Sequence, residues 1–149
     1  MATLAVDNPR TWELHGGEFD NDLPIIANDI VYEGAAVGEN GSGYFRPLVA
    51  ADPFAGFALM QCDNQTYPAG GGAAGAKNIH VRQQGSVPLP VVGVTAVTDE
   101  GSTVYASDDN TFTLTATSNT AIGVIIRVPT PVTGTIAIVR FQALSLRSL

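Results

Sequence analysis

Residues able to do catalytic or metal chemistry are sparse in this chain, and their spacing matches no working arrangement. The two histidines are His15 and His80, and the single cysteine is Cys62. A structural zinc site needs four converging nitrogen or sulfur ligands, which one cysteine and two distant histidines do not supply. Cys62 follows the apolar run 57–60 and reads as a small buried hydrophobe rather than a thiolate nucleophile. A lone cysteine also excludes an intrachain disulfide. His80 stands near Arg82 on a polar strand face, and no G-x-S-x-G elbow presents a serine to it. The close carboxylates are Asp20 with Asp22 and Asp108 with Asp109. Neither pair carries the calcium-loop pattern with its closing glutamate, and Asp108, Asp109 and Asn110 together read as a turn. Gly70, Gly75 and Lys77 approach the spacing of a phosphate-binding loop. The match fails, because one residue is inserted before Lys77, Asn78 stands where Ser or Thr is required, and a strand follows where a helix N-terminus should face the phosphates. No catalytic residue, metal ligand or cofactor is assigned, and no enzymatic activity is expected.

The elements that would carry such residues are short strands. Residues 78–84 alternate, with Ile79 and Val81 on one face and His80, Arg82 and Gln84 on the other, which is the two-residue period of a half-buried strand. Residues 111–117 alternate around Phe112 and Leu114, and 121–128 form a β-branched run in which Gly123 marks a bulge or a close backbone approach. Asn40 and Gly41 give a hairpin signal between residues 25–37 and 44–49, with Pro47 implying an edge or bulge. Residues 56–62 read as a buried strand and 135–141 as the last strand. Pro88 and Pro90 each remove a ladder donor, so 87–94 reads as an edge strand or polyproline-like stretch. The Gly- and Ala-rich segment 63–76 reads as an exposed loop. Turn signals recur at strand-and-turn intervals and no helical period is sustained. The expected fold is all-β, a single compact antiparallel β-barrel or β-sandwich.

Residues 1–24 lack periodicity and are set apart as an N-terminal arm, ahead of a β-domain over 25–143 and a short tail over 144–149. The arm holds the only tryptophan, Trp12, with Leu14 and Phe19. Large aromatics are enriched as interface anchors, so Trp12, Leu14 and Phe19 are the candidate contacts to a neighbouring subunit.

Charge narrows the partners. Net charge is −7, and only 14% of residues are charged, against roughly 25% in ordinary soluble domains. A sparsely charged surface suits a protein packed against others, and it equally suits an ordinary β-domain with a threonine-rich surface. The basic residues, Lys77 and the arginines at 10, 46, 82, 127, 140 and 147, form no cluster that could neutralise a run of phosphates. Nucleic acid is not expected as a partner on this ground, and anionic membrane surfaces are disfavoured with it. No apolar run reaches the roughly 18 residues of a membrane span. No basic region followed by an apolar core opens the chain, so no signal peptide is expected.

The segments VYASDDNTFTLT at 104–115 and IGVIIRV at 122–128 resemble the small capsid cement, or decoration, proteins of tailed bacteriophages. GYFRPLV at 43–49, DPFAGFA at 52–58, AGAK at 74–77 and residues 91–97 share the resemblance, in the same order and at similar spacing. It covers about 30–143 and leaves the first two dozen residues out. The resemblance implies a structural protein on the outer surface of a phage head, assembled in the host bacterial cytoplasm. Its partner would be the major capsid protein, and it would act as a homotrimer or homodimer that bridges capsid subunits and stabilises the expanded shell. The other reading is a fibre-type or virion-surface module that binds a host glycan, for which the four dispersed tyrosines offer no common aromatic face.

Overall fold

A computed structural model describes residues 4–13, 17–132 and 134–147. The fold is all-β and is organised around one long strand. The strands are β1 (Phe19–Pro24), β2 (Ile30–Val31), β3 (Ala36–Glu39), β4 (Phe45–Pro47), β5 (Phe54–Ala58), β6 (Cys62–Asp63), β7 (Asn78–Val92), β8 (Thr103–Ala106), β9 (Phe112–Thr113), β10 (Thr120–Arg127) and β11 (Ile136–Gln142). The choice between barrel and sandwich is decided for the barrel. Strands β7, β11, β10, β8 and β9 pair in that cyclic order, and β9 returns to β7 in parallel, closing five strands into a barrel. β5, β3 and β4 extend the sheet from the first half of β7, and β1 pairs with the opposite edge of that half. Ile25, just past β1, bridges Phe45 of β4, so this second group nearly closes on itself. β2 and β6 form a separate two-stranded sheet.

β7 serves both halves because its odd-numbered residues all face inward. Ile79, Val81, Val87, Leu89 and Val91 are fully buried, and Gln83 holds the same phase between them. Its amide is satisfied there, donating to the Ala55 carbonyl at 3.2 Å and accepting from Asn21 at 3.2 Å. Phe54, Phe57, Phe112 and Phe141 fill the larger core. The rings of Phe54, Phe57 and Phe141 meet edge-on, with Phe57 and Phe141 centroids 4.9 Å apart, and Phe112 is tilted against Phe57; an edge-on pair is worth roughly 0.5–1.5 kcal/mol beyond the area buried. A second cluster gathers Ile25, Val31, Val37, Ile79 and Val81, and Leu4 joins it from the N-terminal segment.

Pro88 and Pro90 correct the reading of 87–94 as an edge or polyproline-like stretch, because both lie in the barrel wall opposite Ile138 and Ile136 of β11. The register explains how. Val91 donates to Thr135 on the β11 side, whereas the Ser86 carbonyl accepts from Glu13 and the Val92 carbonyl from Leu114 on the other side. Even-numbered residues of β7 thus turn their backbone away from β11. Pro88 and Pro90 fall between Ser86 and Val92, in the gap where no strand among the described residues pairs with that side, so no ladder bond is lost there.

The segment 63–76 is held together rather than loose. Asn64 is fully buried. Its amide nitrogen donates to the carbonyls of Ile26 and Ala73, and its oxygen accepts from Gly72. Lys77 donates from Nζ to the carbonyls of Asp63 at 2.7 Å and Ala69 at 3.1 Å. The lysine that resembled a phosphate ligand is a clasp on its own loop. The C-terminal tail is likewise pinned, with Arg147 donating to the carbonyls of Ala121 and Gln142.

Candidate functional site

The N-terminal segment, expected as an arm ahead of a body starting at residue 25, is built into the body. β1 begins at Phe19 and pairs antiparallel with β7, from Phe19 opposite Gln84 to Pro24 opposite Asn78, with one register shift between Phe19 and Asp20. Residues 4–13 cross the surface as a strap. Asn8 donates to the Glu33 carbonyl at 2.8 Å, and Glu13 donates to Ser86 at 2.9 Å. Gly34 lies directly under the strap, and a Cβ there would overlap the Asn8 carbonyl. Arg10 donates from Nε to the Gly34 carbonyl at 2.8 Å and from Nη2 to Asn110 at 3.1 Å. Its guanidinium lies 5.5 Å from the Phe57 ring centre and 5.6 Å from that of Phe112. Burial pushes the Arg10 pKa down to about 10, with Asp109 acting in the opposite sense, so the side chain stays charged at neutral pH. The Asp108–Asn110 turn is a turn as expected, closed by Asn110 donating to Asp108, yet it also turns the buried Asp109 toward this arginine.

Trp12 is the centre of the strap, and it docks on its own barrel. Its ring lies 6.2 Å from Phe57 and 5.8 Å from Phe141, centroid to centroid. Arg82 covers its outer face at 5.0 Å. Arg82 is fixed in turn by a two-point ion pair to Asp20, at 2.8 and 3.2 Å. The Arg82 guanidinium, by hydrogen bonding, holds the Asp20 carboxyl below the usual carboxylate range. His80 Nδ1 lies 2.6 Å from Asp22 one step further along β1. Of the other two candidate anchors, Phe19 stands 48% exposed on β1, and Leu14 lies outside the described residues, as does His15. The sequence placed Trp12 on a neighbour because 1–24 has no period. The missing signal is tertiary, since a strap held by single residues at irregular intervals has no period to show.

Burial pushes the Cys62 thiol up, which disfavours the thiolate. Among the described residues no three of His, Cys, Asp and Glu gather as a metal site, and no helix is long and apolar enough to cross a membrane. A cleft of about 410 Å³ opens at the end of the second cluster, floored by Leu23, Phe45 and Phe54 with Leu144 at its rim. Its amides, Asn21 and Gln83, already bond each other. A wider groove of about 520 Å³ crosses the outer wall of β10 and β11. There the expectation at Gly123 holds in both forms. The pairing with β8 shifts register between Ala121 and Gly123, and a Cβ at Gly123 would overlap the Arg140 carbonyl. A second shift between Ile125 and Arg127 leaves Val124 and Ile126 outward, at 41% and 45% exposure.

No protein-family model matches the chain, and no curated protein matches it.

Proposed function

We propose that this protein is a structural capsid decoration protein. It binds the outer surface of a tailed-phage head, bridges major capsid subunits and stabilises the expanded shell. The observation that carries the reading is the order and spacing of 43–49, 52–58, 74–77, 91–97, 104–115 and 122–128 as segments similar to such proteins. Two features support it. The charged fraction is low, as a surface packed on a shell requires. Exposed aliphatic residues also sit together on one barrel wall, where Val124 and Ile126 stand clear of the core. In this reading Phe19, exposed on β1, is a residue of the N-terminal segment that touches a neighbour, while Trp12 holds the segment in place.

Binding of this kind needs no catalysis. An interface near ~1,600 Å² gives useful affinity after association costs are offset, and repetition over a shell multiplies it. A protein that binds only the expanded state stabilises that state by linkage. Homotrimeric or homodimeric assembly belongs to the same proposal.

The test adds the full chain to compact and expanded shells of the cognate phage lacking this protein, followed by sedimentation and counting of bound copies. Saturable binding to expanded shells is expected. Absence of binding to both shell forms overturns the proposal. The full chain is used because β1 pairs with β7 and Trp12 packs against Phe57 and Phe141.

A further inference from the structure

Arg140 differs from every other basic side chain of the protein. Arg46 pairs with Asp52, Arg82 with Asp20 and Arg127 with Glu13. Arg10, Lys77 and Arg147 donate to backbone carbonyls. Among the described residues Arg140 alone of the seven makes no hydrogen bond or ion pair, and it is exposed. It projects beside apolar surface. On the outer wall Val124 lies opposite Arg140 of β11 on one side and opposite Thr103 of β8 on the other. Directly opposed residues hold their side chains within contact of each other. Ile126 continues the apolar strip along β10, and Gln142 and Arg147 border its far end.

The groove they line measures about 520 Å³, within the ~300–1,000 Å³ of clefts that hold ligands, but it is open along the wall. Such a trough takes a segment lying across it. None of its lining side chains is acidic, although the chain as a whole carries −7. An unpaired guanidinium beside aliphatic side chains selects a carboxylate flanked by apolar groups, because its planar fork binds a carboxylate at two points. A single free cation on an acidic protein cannot neutralise a run of phosphates, which excludes nucleic acid and anionic lipid as occupants.

We infer that this groove docks an acidic, extended polypeptide segment of the shell protein, with a carboxylate on Arg140 and aliphatic side chains over Val124 and Ile126. The identity of the partner rests on the proposed decoration function, whereas the position and chemistry of the contact do not.

The experiment measures binding of the full-length protein to expanded cognate shells across a NaCl series. It compares wild type with Arg140→Glu, Arg140→Lys, the pair Val124→Ser with Ile126→Ser, and Tyr67→Ser in the loop 63–76 as a control. All altered side chains are exposed, and each variant is checked for wild-type thermal unfolding. At least tenfold weaker binding is expected for Arg140→Glu and for the double variant. Arg140→Lys should lose less, the salt dependence should diminish in Arg140→Glu, and Tyr67→Ser should bind as wild type. Wild-type binding with unchanged affinity in Arg140→Glu overturns the inference and leaves the decoration function standing. A variant that keeps shell affinity but sediments as a smaller species overturns it too, and gives this face to contacts between copies. Failure of the wild type itself to bind any shell removes the proposed function and the shell segment together.

Discussion

The N-terminal strap and the outer wall of β10 and β11 invert what their sequences suggest. The N-terminal segment carries the only tryptophan and several charges, yet its Trp12, Arg10 and Asp20 are answered within the chain. Trp12 lies between Phe57, Phe141 and Arg82, and Asp20 is paired with Arg82. The wall carries an ordinary β-branched run, yet it leaves Val124, Ile126 and Arg140 facing outward. The physical difference lies in where the barrel is already closed. The strap covers an aromatic core that would otherwise be wet on one side, so its apolar residues turn in. β10 has partners on both edges and a full core beneath, with Ile122 and Ile125 buried, so Val124 and Ile126 are left on the outer face with only their cross-strand neighbours beside them. An aromatic residue in an irregular stretch is therefore no guide to an interface until the core it could cover has been located.

The most forceful way to break this comparison is to remove the strap's anchor. Trp12→Ala should destabilise the isolated protein by roughly 2–4 kcal/mol, somewhat below the cost of a fully buried aromatic because the ring is only partly buried. Urea unfolding measures it. A stability equal to wild type would return Trp12 to the role of a residue waiting for a neighbour.

Lifting the strap without touching its side chains is the next largest effect. Gly34→Ala places a methyl against the Asn8 carbonyl at a backbone φ of +86°, which should cost about 1–3 kcal/mol. Hydrogen exchange should then show the Asn8 and Glu13 amides opening ahead of those of β7, and uniform protection would contradict the picture of a separately held strap.

Acid sharpens the comparison further, because the strap side carries the ion pair. The Asp20 carboxyl is held below its usual range chiefly by the Arg82 hydrogen bond. A carboxyl depressed in the folded state stabilises fully above its unfolded value, near ~3.9, and loses that contribution as pH falls through the folded value. Asp20→Asn should thus lower stability at pH 7 by about 0.5–1 kcal/mol, given the partial exposure of the pair. The deficit relative to wild type should shrink as pH is lowered below 4. A deficit that stays constant with pH would assign the effect to packing instead of charge.

The smallest effect belongs to the wall. Val124→Ser with Ile126→Ser should change unfolding free energy by no more than about 0.5 kcal/mol per site, even though both residues are apolar. A loss as large as that of Trp12→Ala would mean that these side chains serve the fold.

Much of the fold was legible because it is written in local periodicity. The alternation of 78–84 set the inward phase that β7 keeps through Val91, and the phase agrees with Ile79 and Val81 at full burial. The Asn40–Gly41 hairpin formed as read, with Asn40 accepting from Ser42 and Tyr44. The bulge at Gly123 and the turn at Asp108 followed from residue types whose backbone preferences are intrinsic. The strand read over 111–117 shortened to Phe112–Thr113, since the Thr113 hydroxyl accepts from Thr115 and Asn119 donates to the Thr115 carbonyl, folding the segment into a turn.

The sequence by itself determined the all-β class, the alternation of the long strand and the turns between strands, because side-chain period and turn chemistry act over a few residues. Tertiary structure alone decided that Pro88 and Pro90 fit a barrel wall, that Asn64 orders a glycine-rich loop, and that Trp12 faces inward while Val124, Ile126 and Arg140 face out. Each of those outcomes depends on which distant backbone or ring lies alongside. That is a property of strand register and barrel closure, and residues tens of positions away set it.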